Sequence, residues 1–277
     1  MMKKTVISVL LLFVLAFPSL SFAGLDLDQE VLVIPDTHDV KPYVWNVARN
    51  PRGYELVMDS GAQADSMDKR FSFEIRKDAA ENIQEIHVFI TDSDLHFYQH
   101  IEPLFSDGRY RFSLGIPGTD TYRFEIVFRT DRGWVNLKKD IRLKGSGKIP
   151  DDPERDKGYS AKVKLIPKKV YTEHVATFLF DLTYEGAPIR DIEKVDGADM
   201  RLASWDEDLK EFIYAMPKQN LGGPEVAVSA VFMRPGKRAV FAEFKHNGKT
   251  RKVELVIDVQ AEPRRDENAI EQIRPSE

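Results

Sequence analysis

One-for-one alternation of apolar and polar residues recurs along this chain, and that period decides what it can fold into. Arg70-Phe71-Ser72-Phe73-Glu74-Ile75-Arg76 places Phe71, Phe73 and Ile75 on one face and charge on the other. Tyr110, Phe112 and Leu114 repeat the pattern within 109–114. Tyr122 to Phe128 does so again, with Arg123 and Glu125 predicted on the wet side. Val135, Leu137, Ile141 and Leu143 continue the series, which Lys139 interrupts at a predicted bulge. Period two with one wet face is the signature of antiparallel sheet. Turn residues separate the runs, as at Ser106-Asp107-Gly108 and Ile116-Pro117-Gly118. Helix is scarce: 78–84 and 206–213 each predict a turn or two, with Asp206, Glu207 and Asp208 capping the second near Trp205.

The alternation stops once in mid-chain. Residues 146–157 carry glycine, proline and charge without periodicity and read as a linker. Beyond them the pattern restarts at Val163 and Leu165. It continues through Phe178, Phe180 and Leu182, and through Val240, Ala242 and Phe244. His246-Asn247-Gly248-Lys249 then leads to Val253, Leu255, Ile257 and Val259. Asn-Gly between two alternating runs is a strong hairpin signal. Short strands at regular spacing, in two units of about 100 residues each, predict an all-β chain of two tandem immunoglobulin-like antiparallel β-sandwiches, spanning 53–145 and 158–260. The linker is expected to set the angle between them. Residues 24–52 read as an extended lead-in, with Val31 to Ile34 as an added edge strand, and residues 261–277 as a frayed tail.

The first 23 residues are a secretory signal peptide by pattern. Lys3 and Lys4 precede an apolar run from Thr5 to Phe17, and Ser21-Phe22-Ala23 supplies small residues at a cleavage site. The run falls short of the ~20 residues needed to span a bilayer. The exported chain is expected in the periplasm, with full secretion to the extracellular space as the alternative. Cysteine is absent, which removes disulfides, thiolate catalysis and thiolate metal sites together. A pI near 5.8 argues against nucleic acid as a partner. No Gly-x-Ser-x-Gly elbow and no phosphate-cradling glycine loop occurs, so no enzyme class is indicated.

The two units carry matching landmarks. Asp94-Leu95 runs to Pro103 after the strand around His87 to Ile90. Asp208-Leu209 runs to Pro217 at the same spacing after Met200 to Ala203. Tyr98 and Phe212 correspond within this frame, and Pro117-Gly118 corresponds to Pro235-Gly236. The second unit further shows Tyr184-Glu185-Gly186-Ala187-Pro188-Ile189, Gly197-Ala198-Asp199-Met200 and Ser204. With these landmarks, the stretch from Lys164 to Val259 resembles the YtkA-like family of exported β-sandwich domains, related in outline to FixH-like domains. The resemblance extends more faintly to the first unit. It implies an immunoglobulin-like sandwich without catalysis, in a family whose members often sit near metal-handling or respiratory systems.

The same resemblance implies a ligand set. A histidine before the Asp-Leu and a His-x-His-Pro after it map onto His87, His100 and Glu102 in the first unit, and onto Arg201, Tyr214 and Met216 in the second. Imidazole with carboxylate suits copper(II) or zinc. Residues two apart on a strand share a face, so His100 and Glu102 point the same way, with His96 nearby if the strand is continuous. The methionines lack Met-x-x-Met clustering and read as core filler. The tryptophans and Tyr43 read as packing anchors rather than an exposed recognition patch. Two functions are therefore expected: an exported, non-catalytic binding or assembly module that contacts another exported or membrane-anchored protein, or periplasmic copper handling through His87, His100, Glu102 and His96.

Overall fold

The computed structural model describes residues 53–60, 68–77, 82–145, 157–195 and 197–262. The leader, the lead-in, the Val31–Ile34 strand, Tyr43, Trp45, nearly all of the linker and most of the tail lie outside these residues. Every regular element described is a strand.

The first sandwich sets one four-stranded sheet against another. One sheet has the order β1 (Tyr54–Ser60), β2 (Asp68–Lys77), β6 (Arg109–Gly115), β5 (Leu104–Ser106). The other has the order β4 (Tyr98–Ile101), β3 (Ile86–Thr91), β7 (Asp120–Thr130), β8 (Gly133–Leu143). The alternating residues meet between them: Phe71, Phe73, Phe112, Leu114, Phe124 and Phe128 form one buried cluster. Lys139 makes no bulge, because β7 and β8 pair without interruption and Lys139 stands opposite Phe124. As an exposed charge on the apolar side of an edge strand, it blunts that edge against further pairing.

The second sandwich packs β9 (Tyr159–Ile166), β11 (Val175–Tyr184), β12 (Ala187–Pro188) and β15 (Glu225–Val231) against a five-stranded sheet. That sheet has the order β10 (Val170–Tyr171), β17 (Lys249–Gln260), β16 (Gly236–His246), β13 (Arg201–Asp206), β14 (Phe212–Ala215). Phe178, Phe180, Leu182, Met200, Val240 and Phe244 lie at its centre. Asn247 and Gly248 turn the β16–β17 hairpin with φ of 54° and 71°, a left-handed pair that suits the right-handed twist of the strands. No helix forms over 206–213. β13 ends at Asp206, the chain turns, and β14 starts at Phe212.

A third apolar cluster joins the two sandwiches. Phe89, Tyr98 and Val127, from the outer face of the β4-β3-β7-β8 sheet, pack on Ala203, Trp205, Phe212 and Phe241, from the outer face of the five-stranded sheet. The Tyr98 and Phe241 rings stack at 4.4 Å and 3°. The face expected to be wet is therefore dry, and Arg123, Glu125 and His87 on it are buried. This aromatic layer holds the two sandwiches face to face. Burying each such ring is worth about 1.5–3 kcal/mol.

Candidate functional site

The turn after β3 positions the first half of the site. Asp92 ends the strand, and its Oδ1 accepts hydrogen bonds from the amides of His96 at 2.8 Å and Phe97 at 3.0 Å. Leu95 takes φ of 60°, and the chain returns as β4 with His100 opposite Phe89. Side chains on paired strands share a face when their register positions match. His87, Phe89, Tyr98, His100 and Glu102 accordingly line the face turned toward the second sandwich. The second half arises the same way. Asp206 Oδ1 accepts from the amides of Lys210 at 2.7 Å and Glu211 at 2.9 Å, and Leu209 has φ of 55°. Arg201 on β13 stands opposite Glu243 on β16, and Tyr214 on β14 opposite Ala203. When the sheets stack, the two halves meet.

Oxygen and nitrogen ligand atoms of His87, His100 and Glu102 lie within 4.8 Å of one another. His96 stays apart. It is exposed in the turn, because β4 begins only at Tyr98. Arg201 lies among the other three. Its Nη1 is 3.4 Å from His87 Nδ1, 3.2 Å from His100 Nε2 and 3.4 Å from Glu102 Oε1. His100 Nδ1 donates to Glu243 Oε2 at 2.9 Å, and its Nε2 is turned toward the guanidinium. His87 Nδ1 sits 3.2 Å from that same Nε2. Burial first, then the Arg201 charge and His100, lower the pKa of His87 to about 2, so its ring is neutral.

Further polar groups share this dry layer. Burial, and then Glu243, push the Tyr98 phenol well above its ordinary value. Glu125 is raised by burial to about 7, against the opposing pull of Arg123 and of the 2.9 Å hydrogen bond from Asn136. Arg123 pairs with Asp140 and donates to the Leu209 carbonyl of the second sandwich. The layer is thus pinned by an arginine from each side, Arg123 reaching one way and Arg201 the other. A cleft of about 260 Å³ lined by Tyr98, His100, Glu102, Glu243 and Lys252 opens beside the Arg201 cluster.

A copper or zinc ion would need nitrogen and oxygen donors at about 2.0–2.2 Å. The point where these donors converge is held by a permanently charged guanidinium, so the residues as arranged do not fit a metal ion. Glu243 was not marked by the sequence, Tyr98 was marked only as a landmark, and Glu125 and Arg123 were expected on a wet face. Arg201 was placed by it, as the counterpart of His87 in the duplicated frame, but without a sign that the two would touch. Trp205 and Trp134 pack within the layer, Trp134 edge-on to Tyr214 at 5.6 Å. Met200 is core and Met233 is exposed.

The fold and this joint define a two-sandwich, immunoglobulin-like β protein. Residues 155–261 match a domain of unknown function (DUF8832). No curated protein matches the sequence. Among solved structures, dimeric latent PorU from Porphyromonas gingivalis is 12% identical with a TM-score of 0.26, covering 76% of this chain and 20% of its own. Salmonella alpha-2-macroglobulin reacted with methylamine is 12% identical with a TM-score of 0.26, over 74% of this chain and 15% of its own. The FN1-FN3 domains of chicken CNTN1 are 10% identical with a TM-score of 0.24, over 74% of this chain and 65% of theirs. This chain thus spans a fifth or less of the length of the first two. The fold assignment rests on the sheets described above, not on these likenesses. Among the described residues, no helix is long and apolar enough to cross a membrane.

Proposed function

We propose that this chain is an exported, non-catalytic binding or assembly module that presents its outer surfaces to another envelope protein, with the periplasm as its compartment. The leader-like pattern of residues 1–23 supports export, and the YtkA-like landmarks support an envelope setting. The observation that carries the binding reading is β5. Strand β5 is the edge of its sheet, only three residues long, and it holds Leu104 at 77% and Phe105 at 63% exposure side by side. One broad face of each sandwich is spent on the other, and β5 offers an apolar edge beside the faces that remain. Free edges invite strand addition, with backbone hydrogen bonds supplying affinity and the two side chains supplying selectivity.

The experiment is photo-crosslinking in the producing cell from position 105, with Val256, an exposed apolar residue on β17, as control. One discrete crosslinked envelope protein from position 105 and none from 256 is the expected result. Equal or absent crosslinking from both positions counts against the proposal.

A further inference from the structure

The resemblance would put a metal ion where His87, His100 and Glu102 converge, and the structure puts a side chain there. Three features decide what that side chain does. First, Arg201 is 1% exposed, and its Nη1 contacts all three donor groups at 3.2–3.4 Å. Those lengths suit hydrogen bonds from a nitrogen donor, not coordination. Second, guanidinium does not deprotonate in a protein, so the charge at this point is permanent. A divalent ion arriving there would meet a like charge in a medium that screens poorly. Third, the donors come from β3, β4 and the residue after β4, while Arg201 comes from β13 of the other sandwich. Glu243 on β16 also holds His100 from that side.

We infer that Arg201 is the resident cation of this cluster, so that the chain fills its own His/His/Glu donor set with a side chain and thereby latches its two sandwiches face to face. All three contacts are made by the single nitrogen Nη1, held in place by the rigid guanidinium plane. A lysine would keep the charge, but on a flexible stem without that fixed plane. The matching landmarks of the two units bear on the place of the latch. Arg201 occupies the position in the second unit that His87 occupies in the first, and stacking the two sheets brings such counterparts together. The inference is independent of the β5 edge and of any partner.

The test compares wild type with Arg201→Gly and Arg201→Lys in thermal unfolding and calorimetry, using zinc chloride, copper(II) chloride and methylguanidinium as probes. Wild type is expected to take up no zinc or copper at this cluster, and its unfolding midpoint to ignore millimolar methylguanidinium. Arg201→Gly is expected to unfold at lower temperature and to regain part of the loss with methylguanidinium. It should also bind one zinc or copper per chain at least tenfold more tightly than wild type, an affinity that His100→Ala removes. Arg201→Lys should fall between the two and respond to neither probe. Uptake by wild type of one metal ion per chain that His100→Ala abolishes overturns the inference. So does a folded Arg201→Gly that gains neither metal affinity nor rescue. Should Arg201→Gly not fold, the wild-type titration and Arg201→Lys still decide. A lysine variant that takes up one metal ion per chain at this cluster contradicts the resident cation.

Discussion

The turn from Asp92 to Phe97 and the turn from Asp206 to Glu211 are one device used twice, yet the faces they join have gone separate ways. Each aspartate accepts two amides from the residues four and five positions on, and each turn carries a leucine with positive φ. Backbone demands of that kind leave little freedom. On the flanking strands the counterparts differ: His87 against Arg201, His100 against Tyr214, Glu102 against Met216. The difference is what two surfaces need when they face each other. Identical imidazole sets would leave two groups of acceptors opposed, whereas an imidazole set meeting a guanidinium is complementary. The two turns share one frame, and the residues on the faces between them are complementary.

Trp205 carries the largest expected effect. It is fully buried between the sandwiches, within ring contact of Tyr98, Phe212 and Phe241. Trp205→Ala should cost about 3–5 kcal/mol in urea unfolding, as a large core truncation does. A loss under about 1 kcal/mol would mean that the joint is not a true core.

Next in size is the pair of turns. Asp92→Ala should lose about 1 kcal/mol, the usual cost of a missing cap. Asp206→Ala should lose about 2 kcal/mol, because Asp206 also takes a 3.1 Å hydrogen bond from Arg234 and is buried. Equal losses would show that the second turn has gained nothing from its extra partner.

Acid titration sharpens the contrast between the two ends of the layer. His87 has a folded value of about 2 against 6.5 unfolded, so below pH 6.5 the unfolded chain binds a proton that the folded chain refuses, and stability falls. Glu125 has a folded value of about 7 against 4.5 unfolded. Its contribution is fully present below pH 4.5 and is lost as pH rises through 7. Each effect approaches ~1.4 kcal/mol per pH unit at most. The two oppose each other between pH 6.5 and 4.5, so wild-type stability should stay nearly level there and fall below 4.5. Glu125→Gln removes one side of the balance. Its melting temperature should drop steadily from pH 6.5, and parallel curves for the two proteins would refute the assignment.

The smallest effect belongs to the surface. Leu104→Ser should change stability by less than about 0.5 kcal/mol, because the side chain is mostly in water. The same substitution should weaken partner crosslinking from position 105. A stability loss above 1 kcal/mol would make β5 part of the core rather than a free edge.

The sheets were readable because their signal is local. Alternation placed Phe71, Phe73 and Ile75 inward, and Asn247-Gly248 announced its hairpin before any partner strand was known. The joint was not readable, because it depends on which outer face meets which. Arg123 and Glu125 look like solvent-facing charges along β7, and only the stacked second sandwich makes them buried. One signal was present. Phe89, Tyr98, Trp205 and Phe241 are large apolar residues at outward positions, which a face turned to water does not need. The acidic run at 206–208 suggested a helix cap because Asp caps helices and tight turns through the same amide contacts.

The two sandwiches form one block through a dry face-to-face layer, so the distance between them is fixed. The chain has no native cysteine, so Ser113→Cys on β6 and Lys164→Cys on β9, both exposed, can carry spin labels without interference. Pulsed dipolar measurement should give a single narrow distance distribution between the labels, unchanged by dilution. A broad or multimodal distribution would show two sandwiches swinging on their linker and would contradict the account.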